Sequence, residues 1–225
     1  MTDQRATLLF PDARSARDAL TFAERAARIG DDGLHLLAAE GVLTMTAPAL
    51  LPRSILDRTP FVLALRSLAV DPELACDLTV EALEATADPH RVALPDRAIA
   101  PGWAAVPLPR EGWTHTRTVA AGVLDEVAQR GIRAVAQAIP ERPGLDAVQK
   151  VRAAVWGEPE PELGDLPRGT AFAATAFGLI GEADESARIL VSGRWVRIAL
   201  RRGHVLLRGP AAAGLTPVRR TGRQA

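Results

Sequence analysis

Residues 186–208 read SARILVSGRWVRIALRRGHVLLR. Three runs in it, 187–191, 194–200 and 204–208, alternate apolar with polar residues, the period of a half-buried strand. Ser192-Gly193 and Arg202-Gly203 separate them and suit two-residue turns. The stretch therefore predicts a three-stranded antiparallel meander. With those turns, Leu190 faces Trp195, Arg188 faces Arg197, and Arg197 faces Arg208. One face then carries Ile189, Val191, Val196, Ile198, Leu200, Val205 and Leu207, a core face. The other carries Arg188, Arg197 and Arg208 in one cross-strand row, with Trp195 beside it and Arg201 and His204 toward the second turn. Like charges directly opposite on a sheet are destabilising. Such a row calls for an anion, which arginine binds bidentately, and Trp195 offers a stacking surface. The competing reading is that Glu182, Asp184, Glu185 or an acidic connector supplies counter-ions, or that the arginines splay into water.

Upstream of the meander, residues 170–180 are apolar on nearly every side, as in a central buried helix. Residues 158–165, EPEPELGD, read as a solvated acidic spacer. Three further helices are marked by Val119, Val123 and Val127, stopped near Gly131; by Ile132, Val135 and Ile139, stopped by Pro140; and by Val148, Val151 and Val155, capped by Gly157. Residues 95–113, PDRAIAPGWAAVPLPREGW, hold four prolines and two tryptophans. Proline fixes φ and removes a donor, so this segment reads as an extended linker anchored by Trp103 and Trp113.

Before the linker, residues 6–10 read as a strand. Asp12 is the expected N-cap of a helix whose face is Ala16, Leu20, Ala23 and Ala27. Glu40-Gly41 marks a hairpin with Leu34, Leu36, Ala38, Leu43, Met45 and Ala47 on one face, which the helix covers. Residues 61–70 read as a strand and 80–87 as a short helix. No repeat shows in the sequence. The predicted fold is α+β: an N-terminal strand–helix–hairpin layer (1–94), a linker (95–113), a helical bundle ending in the meander (114–208), and a basic flexible tail (209–225).

The chain has 225 residues with 27 basic and 27 acidic side chains. A zero net charge does not favour a dedicated nucleic-acid binder, although residues 186–225 hold nine arginines and no acid. Cys76 is the sole cysteine, which excludes an intrachain disulfide and a thiolate cluster and points to a reducing, cytoplasmic setting. No apolar run reaches the length of a membrane span. Phosphate-loop, dinucleotide, zinc-protease and nucleophile-elbow motifs are absent. His35, His90, His115 and His204 lack partners at ligand spacing, and Asp31-Asp32-Gly33 reads as turn chemistry. No metal, cofactor or catalytic residue is expected.

The segments VPLPREGW, GVLDEVAQRGIRAVAQAI, VQKVRAAVWGEP, LPRGTAFAATAFGLIG and GRWVRIALRRGHVLLR resemble an uncharacterised family of actinobacterial proteins. The resemblance implies a bacterial cytoplasmic setting and no functional residue. The leading expectation is a non-enzymatic binding protein that uses Arg188, Trp195, Arg197, Arg201 and Arg208 against an acidic protein or a phosphate-bearing ligand. A second expectation is a small-molecule or nucleotide-handling enzyme with a pocket near Trp103 and Trp113. A third is a homo-oligomer subunit with apolar faces, such as that of the 61–70 strand, buried between chains.

Overall fold

A computed structural model describes residues 6–30, 32–54, 57–139 and 144–209. The tail beyond Gly209, Pro140 and Asp31 lie outside the described residues. The protein is mixed α+β. Its first half runs β1 (Thr7–Leu9), α1 (Ala13–Ile29), β2 (Leu34–Ala39), β3 (Val42–Leu50), β4 (Phe61–Ala69), β5 (Cys76–Val80), β6 (Glu84–Ala85) and β7 (Arg91–Ala93). The second half runs β8 (Thr114–Ala120), α2 (Ala121–Ala138), α3 (Leu145–Gly157), β9 (Pro159–Glu160), a 3-10 turn (Pro161–Leu163), β10 (Leu166–Pro167), α4 (Gly169–Ala176), β11 (Ser186–Ser192), β12 (Trp195–Leu200) and β13 (Gly203–Arg208).

Eight strands form one antiparallel sheet in the order β5-β2-β3-β4-β13-β12-β11-β8. The meander is therefore the continuation of the N-terminal hairpin sheet, joined where β4 pairs with β13. Alternation assigns each strand an inner and an outer face. Leu34, Leu36, Leu43, Met45, Ala47, Ile198 and Val205 point inward and are fully or nearly fully buried. They share one core with α1, α2 and α4. α4 packs on β3, β4 and β13 at the middle of the sheet, which explains why its sequence is apolar all round. β1, β7 and β6 form a separate small sheet.

Asp12 caps α1 as expected, its carboxylate accepting from the Ser15 N–H at 2.8 Å. The buried face of α1 differs from the expected one: Ala16, Ala19, Phe22, Ala23 and Ala26 are buried, whereas Leu20 is only partly so and Ala27 is exposed. Phe22 reaches the C-terminal end of α4, its ring 5.0 Å from that of Phe177 just beyond it.

Three local expectations are corrected. Val119 lies in β8, not in a helix, because residues 114–120 complete the sheet edge against β11. The helix expected over 80–87 is absent: β5 pairs with β2 up to Val80, and residues 84–85 form β6. Gly131 does not stop a helix, and α2 runs through it unbroken.

The acidic connector is also not a solvated spacer. Glu160 is buried, takes Arg168 Nε at 2.5 Å and Arg130 Nη2 at 3.3 Å, and so ties α2 to the start of α4. Glu158 pairs with Arg168 at 2.9 Å and Glu162 with Arg130. A buried carboxylate needs this pairing, since an uncompensated charge is costly.

Candidate functional site: the outer face of the sheet and its strap

The outer face of the sheet would be bare were it not for residues 95–113. This segment crosses it as a strap. Ile99 makes an isolated bridge with Thr79 at the β5 edge. Trp103 donates its indole N–H to the Asp32 carbonyl at 2.7 Å. It is buried with Leu63, Trp195 and Leu206 in a second apolar cluster, against which Val106, Leu108 and Trp113 pack. Proline keeps the segment out of the sheet, and its apolar side chains cover a face that alternation alone would leave to solvent.

Between strap and sheet lies a groove of about 560 Å³. Its floor is the outward side of β2, β3 and β4, with Leu37, Thr44, Thr46, Leu63 and Leu65; Trp103, Val106 and Leu108 of the strap form the opposite wall. His35 and Asp77 stand at its polar end, joined Nε2 to Oδ1 at 2.8 Å. His35 does lie opposite Thr46, as the hairpin register predicts. It is only 22% exposed and belongs to the groove rather than to open solvent. Trp113 lies outside the groove lining and stacks elsewhere.

The five residues singled out from sequence all belong to β11–β13 or the turn after β12, but the arginine row does not form. The first turn is Gly193-Arg194, so Ser192 pairs with Trp195, Leu190 with Arg197 and Arg188 with Ala199. In the second hairpin Leu200 pairs with Gly203, Arg197 with Leu206 and Trp195 with Arg208. Each arginine therefore has an uncharged residue opposite it. Arg197 lies over the Trp113 ring, its Cζ 4.4 Å from the centroid, and Arg208 lies 6.0 Å from the rings of both Phe61 and Trp195. These aromatic faces supply favourable cation–π partners in place of an anion. Burial, then Arg188, lowers the Arg197 pKa. Trp195 is buried, while Arg188 and Arg201 are exposed. Glu185, expected as a counter-ion, is instead buried and accepts backbone N–H groups from Gly181 at 3.0 Å and from Arg201.

The oligomer expectation loses its motive, because the apolar faces of β4 are covered within the chain: Val62 and Ala64 lie in the main core and Leu63 lies under the strap. No helix among the described residues is long and apolar enough to cross a membrane.

Residues 3–111 match the family described as Domain of unknown function (DUF8010), and residues 108–212 match Domain of unknown function (DUF8185). The two matches meet inside the strap. Among curated proteins none matches. A solved protein from Eubacterium rectale, assigned as a DNA polymerase III beta subunit, superimposes with a TM-score of 0.52 at 11% identity, over 93% of this chain and 66% of that one. The fold is similar to that of this polymerase subunit. The DNA polymerase sliding clamp of Caulobacter crescentus matches with a TM-score of 0.45 at 14% identity, over 97% of this chain and 69% of that one. The Caulobacter crescentus pol III beta structure matches with a TM-score of 0.49 at 14% identity, over 97% of this chain and 70% of that one. The chain thus spans about two thirds of the length of these clamps. The clamp-like fold overturns the leading expectation of an anion-binding protein built on the arginine face, in agreement with the broken row.

A pocket is expected near Trp103 and Trp113; the groove lies at Trp103 but not at Trp113. Its sheet floor is not legible in the sequence, because its walls come from five separated segments and residues 95–113 read there only as a linker.

Proposed function

We propose that this chain is a clamp-like accessory protein of DNA synthesis that docks a partner in the groove between strap and sheet. The groove carries this reading. It presents the apolar side chains Leu37, Leu63, Leu65, Val106 and Leu108 beside one convergent polar pair, His35–Asp77. An apolar concavity with a few fixed polar groups suits one or two apolar side chains of an extended peptide, with main-chain groups meeting the polar end. The clamp-like fold, whose relative is described as a polymerase subunit, makes a DNA polymerase the partner class of choice.

The test is surface plasmon resonance between this chain and the replicative DNA polymerase of the same cell. The intact chain is expected to bind, and Leu108→Asp to weaken binding roughly tenfold or more by placing a charge in an apolar wall. Circular dichroism would verify that the variant is folded. No binding by the intact chain, or equal binding by a folded Leu108→Asp, rejects the reading.

A further inference from the structure

On the opposite, helical side of the sheet lies a cleft of about 330 Å³ lined by Arg25, Arg28, Ile29, Arg152, Phe172 and Ala176. Three guanidiniums line it and no carboxylate does. Arg25 of α1 is fixed in place, donating Nη1 to the Phe177 carbonyl at 2.7 Å. Arg28, one turn further on, is exposed and only loosely paired with Glu24 at 4.0 Å. Arg152 comes from α3 and is half-buried, with no carboxylate partner among the described residues. Burial, and then Arg53, lower its pKa. Arginine stays charged regardless, so the cleft holds a partly desolvated cation in the same lining as two others. The floor is apolar and partly aromatic: Phe172 stacks on Trp156 with centroids 4.5 Å apart.

We propose that this cleft binds the phosphate of a small phosphorylated ligand. Arg25, Arg28 and Arg152 share the dianion, and Ile29 and Phe172 take the ligand's apolar or planar body. Guanidinium groups bind phosphate oxygens through charge-assisted, often paired hydrogen bonds. A monoester carries close to two negative charges at neutral pH, which matches a cleft lined by three cations and no carboxylate. This site is separate from the docking groove and does not depend on it.

Isothermal titration with inorganic phosphate, with adenosine 5′-monophosphate and with a short DNA duplex at low salt tests the proposal. The intact chain is expected to bind the monophosphate, and phosphate more weakly. Arg152→Gln and Arg28→Gln should each weaken the monophosphate roughly tenfold, while Arg97→Gln, an exposed arginine outside the cleft, should leave it unchanged. Thermal unfolding would show that the variants remain folded, and exposed Arg28 is the safer of the two. Binding of the duplex but not the monophosphate, no binding at all, or equal weakening by Arg97→Gln would overturn it.

Discussion

His204 lies on the outer face with Ala199 and Leu65 opposite it. Its Nδ1 is buried with no hydrogen-bond partner among the described residues. Burial, and then the charge of Arg197, push its pKa below the ordinary 6.5. The folded protein therefore resists protonation at this ring more than the unfolded chain does. The stability this confers is fully present above about pH 6.5 and is lost as pH falls toward the lower folded-state value. Urea unfolding at stepped pH should show a decline below about pH 6.5 that is shallower in His204→Gln; an unchanged slope would refute the assignment. The sequence made the face of His204 and the arginines legible but not their partners. Sliding a two-residue turn by one position moves every partner by two, so faces are kept while the row dissolves. Gly203 misled the reading. It is glycine because a Cβ there would stand 2.3 Å from the Leu65 carbonyl oxygen, and the turn falls one residue earlier.

Among the elements, α2 shows how a glycine can join rather than divide. A Cβ at Gly131 would lie 2.2 Å from Trp156 Cζ3 and 2.7 Å from Arg168 Cδ. Its bare backbone is the surface on which α3 sets Trp156, itself buried. In an exposed helix alanine would be the better residue by about 1 kcal/mol. Here overpacking should outweigh that gain, and Gly131→Ala is expected to lose about 1–3 kcal/mol, read as a lower midpoint in thermal unfolding. A raised midpoint would mean that Trp156 moves aside freely. From sequence alone this glycine reads as a stop signal, because the tryptophan that needs the space lies 25 positions away. The N-terminal hairpin was legible, with all six of its predicted inward residues buried, since alternation and a tight turn are local. The Glu160–Arg130–Arg168 tie was not, since composition cannot distinguish a paired acidic run from a solvated one.

At the scale of the molecule, each half follows one order: a strand, a helix, then a three-stranded meander, as β1-α1-β2-β3-β4 and as β8-α2 through to β11-β12-β13. The two meanders meet at β4 and β13, so the sheet reads symmetrically outward from that seam. The symmetry breaks at the ends. β8 closes one edge beside β11, whereas at the other edge β5 takes the place beside β2 and β1 pairs with β7 instead. No trace of this duplication showed in the residues, because a shared chain order needs only matched apolar periodicity.

The strap is what distinguishes the two faces of this sheet. One is covered by helices and the other in part by the nineteen residues 95–113, which contribute few backbone hydrogen bonds to it. Trp103 is the strap's deepest side chain, 8% exposed. Trp103→Ala removes both its packing on Leu63, Trp195 and Leu206 and its hydrogen bond to Asp32. Removal of a buried tryptophan costs about 3–5 kcal/mol in a closed core, but a strap can lift away without unfolding the sheet behind it. The expected result is thus a split one. Hydrogen exchange should accelerate at Ile99, Ala104 and Val106 while β3, β4 and β13 stay protected, and polymerase binding should weaken together with the loss of the groove wall. Equal acceleration across the central strands would instead make the strap part of a single cooperative core.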